Sequence, residues 1–237
     1  MLIAAGLCPH PPLLLDGLRG AVDPVPRLRA ACAEVAAALR RWAEDAGARV
    51  VVVAAGPRTR THSPDEPNAA PAFLGPGRPG GPVGSVGLPY AVGLGHQLLA
   101  AAGCRVDGLQ AVATHAAVAD CLRLGAALAA GPIPVVLLML ADGAGRRMLH
   151  APGAPDPEAD EFDAAWLAAV SQADPGALLR LEPARARELR CEGRAVLQVL
   201  AGAALGGGPL EAGVLHADCP FGVQYVVATW HTCRRSR

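Results

Sequence analysis

The chain has 237 residues, 52% of them hydrophobic, enough to bury one sizeable core and too many for disorder, collagen or a coiled coil. Its 21 acidic and 21 basic residues sum to a net charge of zero and form no block of one sign, which excludes the basic face of a nucleic-acid binder. All the basic residues are arginine, so Schiff-base catalysis and a P-loop lysine are excluded too.

The apolar run 2–7 reads as a buried strand that delivers Cys8, Pro9, His10, Pro11 and Pro12. The prolines end it and forbid a helix directly afterwards, so the His10 imidazole sits on stiff backbone at a strand's C-terminal end. In α/β proteins that is where ligands bind. The run lacks the basic flank of a signal peptide, and no apolar stretch approaches membrane-spanning length. The seven cysteines are scattered without a C-x-x-C pair and read as reduced, mostly buried thiols of a cytoplasmic protein that engages no membrane.

Apolar residues at Leu28, Ala31, Cys32, Val35, Leu39 and Trp42 predict an amphipathic helix over 27–46, stopped by Gly47. The valine run 49–55 predicts a strand covered on both faces, ended by Gly56 and Pro57. The Gly- and Pro-rich interval 56–88 carries His62 and reads as a loop over the site. A helix over 89–102 carries His96, a short strand 106–112 follows, and Thr114 and His115 lead into a helix over 116–130.

A buried strand at 133–140 runs into the Gly-rich turn 141–147, with His150 just beyond. Helices are predicted around Trp166, from the Asp174 cap and Pro175, and as one long helix over 183–205. The stretch 211–229 reads as two short strands about a Pro break, or one bulged edge strand, with His216 and Asp218 just before the break. The expectation is one α/β domain over 1–237, a mixed sheet with helices on both faces.

His96 and His231 read as surface or satisfied histidines. His10, His62, His115 and His216 each follow an apolar run, so each projects from a strand end into a loop. If those strands are parallel neighbours, the imidazoles converge as a Zn, Fe or Cu site requires. Strand-end histidines also serve as hydrogen-bonding loop anchors.

The elements Cys8-Pro9-His10-Pro11-Pro12, Gly56-Pro57-Arg58 leading to His62, Thr114-His115 with Val118, Asp142-Gly143 and Cys219-Pro220-Phe221-Gly222-Val223 resemble, in order, the class III extradiol ring-cleavage dioxygenases. That superfamily includes the protocatechuate-type catalytic subunit and the Memo proteins. The resemblance implies oxidative cleavage of a small catechol-type aromatic at a non-haem Fe(II), with Zn or Cu as alternatives, in a homodimer. It matches His10 and His62 to the two histidine ligands and His115 to a histidine beside the metal that handles protons. For the third ligand, position in the match favours His216, the two-histidine-one-carboxylate triad favours Asp218, and Cys219 is a softer rival.

This chain departs from the pattern in two places. Thr114 stands where the family has Asp, and Ala116 where Gly is usual. The turn that carries the family's acid/base histidine holds Arg146 and Arg147, which cannot shuttle protons at neutral pH but suit an anionic substrate. His150 is the local substitute. These departures leave two alternatives open: a non-catalytic Memo-like metal-binding or interaction protein, and a metal-dependent hydrolase with a metal-bound water.

Overall fold

A computed structural model of the chain describes residues 1–15, 22–67, 87–147 and 155–232. Seven strands form one mixed sheet: β1 (Leu2–Cys8), β2 (Arg49–Gly56), β3 (Arg60–His62), β4 (Gly108–Ala113), β5 (Val135–Leu140), β6 (Leu210–Asp218) and β7 (Tyr225–Thr232). Their spatial order is β3-β4-β2-β5-β1-β7-β6. β4, β2, β5 and β1 run parallel, while β3 and β7 are antiparallel to their neighbours. The parallel strands are near-continuous apolar runs because helices cover both their faces.

α1 (Pro26–Ala46) and α2 (Tyr90–Ala101) pack on one face, against Ala4, Val52 and Leu138. The other face, lined by Leu7, Val53 and Met139, meets α3 (Val118–Ala129), α4 (Ala159–Ser171), α5 (Pro175–Leu179) and α7 (Arg194–Ala204). The period-2 alternation along β5 sends Leu137 and Met139 to one core and Leu138 and Leu140 to the other, which is how an unbroken apolar run serves both. Every residue of α7 is buried. Its Gly202 faces Gly125 of α3 so closely that a Cβ on Gly125 would stand 2.1 Å from the Val199 carbonyl oxygen, and one on Gly202 2.5 Å from that of Leu122. Among the described residues, no helix is long and apolar enough to cross a membrane.

The sheet, the covered faces and most elements follow the expectation, and three points do not. The prolines after β1 do not forbid a helix, because Pro12–Leu14 form one 3-10 turn with proline at its first position. The long helix expected over 183–205 is two, α6 (Pro183–Glu188) and α7, because the chain turns between them. Arg190 takes a left-handed backbone (φ 56°), its amide donates to the Arg187 carbonyl and that of Cys191 to the Ala186 carbonyl. The apolar periodicity persists through that turn, so it hides the break. His62 is not on a free loop but ends β3, an antiparallel edge strand, where it sits opposite Leu109.

Candidate functional site

β1 and β5 lie side by side in parallel, with Cys8 opposite Leu140, and the Ala141 amide donates to the Cys8 carbonyl at 2.9 Å. The residues that follow the two strands therefore emerge together. The His10 backbone amide donates to Asp142 Oδ1 at 2.7 Å, and ring Nδ1 lies 3.3 Å from Oδ2. Both oxygens of one carboxylate thus fix one histidine. Nδ1 faces the carboxylate, and Nε2 is buried with no hydrogen-bond partner among the described residues.

Asp142 is held from behind. The Cys191 thiol donates to its carbonyl oxygen at 3.5 Å, and Gly193 packs so tightly there that a Cβ would stand 2.4 Å from the same oxygen. Burial pushes the Asp142 carboxyl above the ordinary carboxylate range, and the neighbouring His10 pulls it back. Tyr90 and Tyr225 lie within electrostatic reach of that carboxylate. Both phenols are pushed well up, first by burial and then by the Asp142 charge, so both are neutral donors at any physiological pH.

The turn after Asp142 is equally fixed. The Gly143 amide donates to the Gln224 carbonyl at 2.9 Å, and Asp163 Oδ1 accepts from the Ala144 amide and from Trp166 Nε1, both at 2.8 Å. Arg147 reaches Asp160 at 2.5 Å, lies 3.7 Å from Asp163 Oδ2 and bonds Gln224. Arg146 donates to the Glu188 carbonyl at 3.1 Å and pairs with Asp156 at 3.9 Å. The two arginines expected at a substrate rim are thus tied to protein acceptors.

Burial lifts the Asp163 carboxyl to about 6. A carboxyl whose folded pKa exceeds its unfolded value of about 3.9 favours folding most below that value, and loses the contribution as pH rises through its folded pKa. Asp163→Asn keeps the Oδ1 acceptor and cannot ionise. Relative to wild type it is expected to gain on the order of 2 kcal/mol between pH 4 and pH 7, measured by urea unfolding at the two pH values. Parallel pH dependence of the two proteins would show that Asp163 does not titrate in this range.

The other expected site residues lie elsewhere. His62 is buried, with Nδ1 2.8 Å from Glu66 Oε2, a second histidine–carboxylate pair. In the sheet order β3 lies four strand spacings from β1, about 19 Å at roughly 4.8 Å each. His216 is half-buried at a bulge in β6, the opposite edge, and the exposed Asp218 accepts the Cys219 amide at 2.7 Å. His115 is exposed on the turn between β4 and α3. His150 lies outside the described residues. His231 stacks at a tilt on Trp42, ring centroids 5.1 Å apart, but its Nδ1 is buried without a hydrogen-bond partner among the described residues, so it is neither a surface nor a fully satisfied histidine.

Among the described residues, no three His, Cys, Asp or Glu side chains gather as a metal ion needs. His10 has the form of a ligand, a buried nitrogen with no partner among the described residues on a ring beside a carboxylate, and the His62–Glu66 pair is a second ring so oriented. The donor set is spread from His62 at one sheet edge, through His10 after the interior strand β1, to His216 and Asp218 at the other edge, and does not fit a single-ion site. Sequence reasoning missed Asp142 as the partner of His10, as well as Glu66, Tyr90 and Tyr225. The β1–β5 pairing exposes Asp142, because two parallel strands that end in register place the next residues side by side.

No protein-family model and no curated protein matches this sequence. Among solved structures the chain is similar to an uncharacterized protein, JW3007, from Escherichia coli K12, with a TM-score of 0.53 at 15% identity. The match covers 97% of this chain and 100% of that one, and at such identity it shows a shared fold alone.

Proposed function

We propose that the chain is a cytoplasmic small-molecule enzyme of the extradiol dioxygenase kind, in which His10 takes a proton from a hydroxyl of a catechol-type aromatic. The observation that carries this reading is the buried, unpartnered Nε2 of a ring oriented by Asp142. A ring held this way can serve as a general base: the hydroxyl proton moves to Nε2, and the imidazolium and aryl oxide that form are balanced by the adjacent carboxylate. The neutral hydroxyls of Tyr90 and Tyr225 suit an environment that keeps this exchange away from water. In ring cleavage Fe(II) supplies the activation of dioxygen, and because the described donors do not gather into its site the proposal covers the proton transfer alone.

The dispersal of His62, His216 and Asp218 favours a second reading, a non-catalytic relative that binds such a molecule without turning it over. Nitrocatechol, whose anion absorbs at longer wavelength, tests both readings. Bound to wild type it is expected to show the anion spectrum at a pH where the free compound is still protonated, and bound to His10→Gln it should not. An unshifted spectrum in wild type, or the same shift in the variant, rejects His10 as the base. If the wild type ionises the probe but cleaves no catechol after anaerobic loading with Fe(II), the non-catalytic reading stands.

A further inference from the structure

Next to the Asp142 turn, whose carbonyl accepts the Cys191 thiol, lies a cavity of about 320 Å³ between the β4–α3 turn and the α6–α7 turn. Three arginines, Arg187, Arg190 and Arg194, line it together with His115 and Cys191, and Glu192 is its one acid. In a chain with no net charge this is a local excess of positive charge.

The strongest observation there is Arg194. It is only 1% exposed, and its guanidinium bonds neutral acceptors alone: the Ala116 carbonyl at 2.7 Å, the Thr114 carbonyl at 2.9 Å and Gln198 Oε1 at 3.0 Å. Its Nε has no partner, and no described carboxylate forms an ion pair with it. Burial lowers its affinity for the proton, and the like charge of Arg187 lowers it further. A buried cation without a counter-ion is costly, and its field extends through the low-dielectric wall into the cavity.

Arg190 is the second observation. It occupies the left-handed position that ends α6, where glycine is the residue without steric cost. A long cationic side chain held in unfavourable backbone beside a cavity is the kind of local strain that accompanies a binding site.

We infer that this cavity binds a small oxyanion, a carboxylate or a phosphate, between Arg187 and Arg190, with the buried Arg194 supplying the field and its bonds to the Thr114 and Ala116 carbonyls fixing the wall that carries His115. The site is independent of any proton transfer at His10. Its ligand is smaller than the cavity or is the charged end of a larger molecule that continues to the surface.

Calorimetric titration at low ionic strength with inorganic phosphate, with benzoate and with chloride as control tests it. Wild type and His10→Gln are expected to bind phosphate, benzoate or both, saturably, with affinity falling as salt rises. Phosphate alone identifies a phosphate site, benzoate alone a carboxylate site. Arg190→Gly removes the cation while relieving the backbone, so it should fold and bind at least tenfold more weakly, as should Arg187→Gln. No saturable binding of either anion to wild type, or wild-type affinity in both variants, overturns the site.

Discussion

Asp142→Asn is expected to raise the apparent pKa of bound nitrocatechol by about 2 units, read from its absorbance across a pH series. Two causes act in the same direction. The asparagine amide sets a donor against Nδ1 where the carboxylate stood, which favours the tautomer with its proton on Nε2 and its lone pair on the wrong side. It also removes the negative charge that stabilises the imidazolium once the substrate proton has moved. The backbone contact from the His10 amide, 2.7 Å to Oδ1, survives if the asparagine oxygen takes that place. The histidine loop should therefore stay folded and the Tm close to wild type. Asp142→Asn that ionises the probe as wild type does would make the His10–Asp142 pair a structural anchor rather than a base and its orienting group.

The second large effect falls on stability. Gly125→Ala is expected to cost about 3 kcal/mol, measured by chemical denaturation, because its Cβ would meet the α7 backbone rather than a side chain that could rotate away. Gly202→Ala should cost a similar amount by pushing on the Leu122 backbone from the other side. Since either substitution forces the same two helices apart, the double variant should lose less than the sum. A loss under about 0.5 kcal/mol for both single variants would mean that α3 and α7 can separate freely.

Most of the fold was legible because apolar spacing is set by local geometry. The valine run of β2, the apolar stripe of α1 and the Asp174 cap, whose Oδ1 accepts the Ala177 amide at 2.9 Å, each declare their element within a dozen residues. The α6–α7 break was not legible. Its signals are slight: one non-glycine residue in left-handed backbone, which carries no mark in the sequence, and Gly193 at the N-cap of α7, which a helix interior also tolerates at a cost. The candidate site was half legible for a similar reason. That His10 sits at a strand end follows from Pro9, Pro11 and Pro12, but which strand lies beside β1 is a matter of sheet order, and that order decides that Asp142 is its neighbour and His62 is not. The expected convergence of four histidines took all their strands as parallel neighbours, whereas β3 lies antiparallel at one edge and β6 forms the other.

The place of β1 in the sheet bears on how the chain comes to be folded at all. β1 finds partners only in β5 and β7, and Ala4 pairs with His231 at nearly the full length of the chain. On a ribosome that adds roughly 5–20 residues per second, β1 is an apolar ribbon with neither neighbour for many seconds. The central slot of the sheet fills last from that side, and the high sequence separation of its contacts makes the closing step slow. His10 and Asp142 meet only when that slot closes, so a nascent or truncated chain that lacks β7 carries every residue of the pair with nothing to hold β1 from that side. The His10–Asp142 pair is therefore a late product of assembly, and until it forms β1 is open to other apolar surfaces.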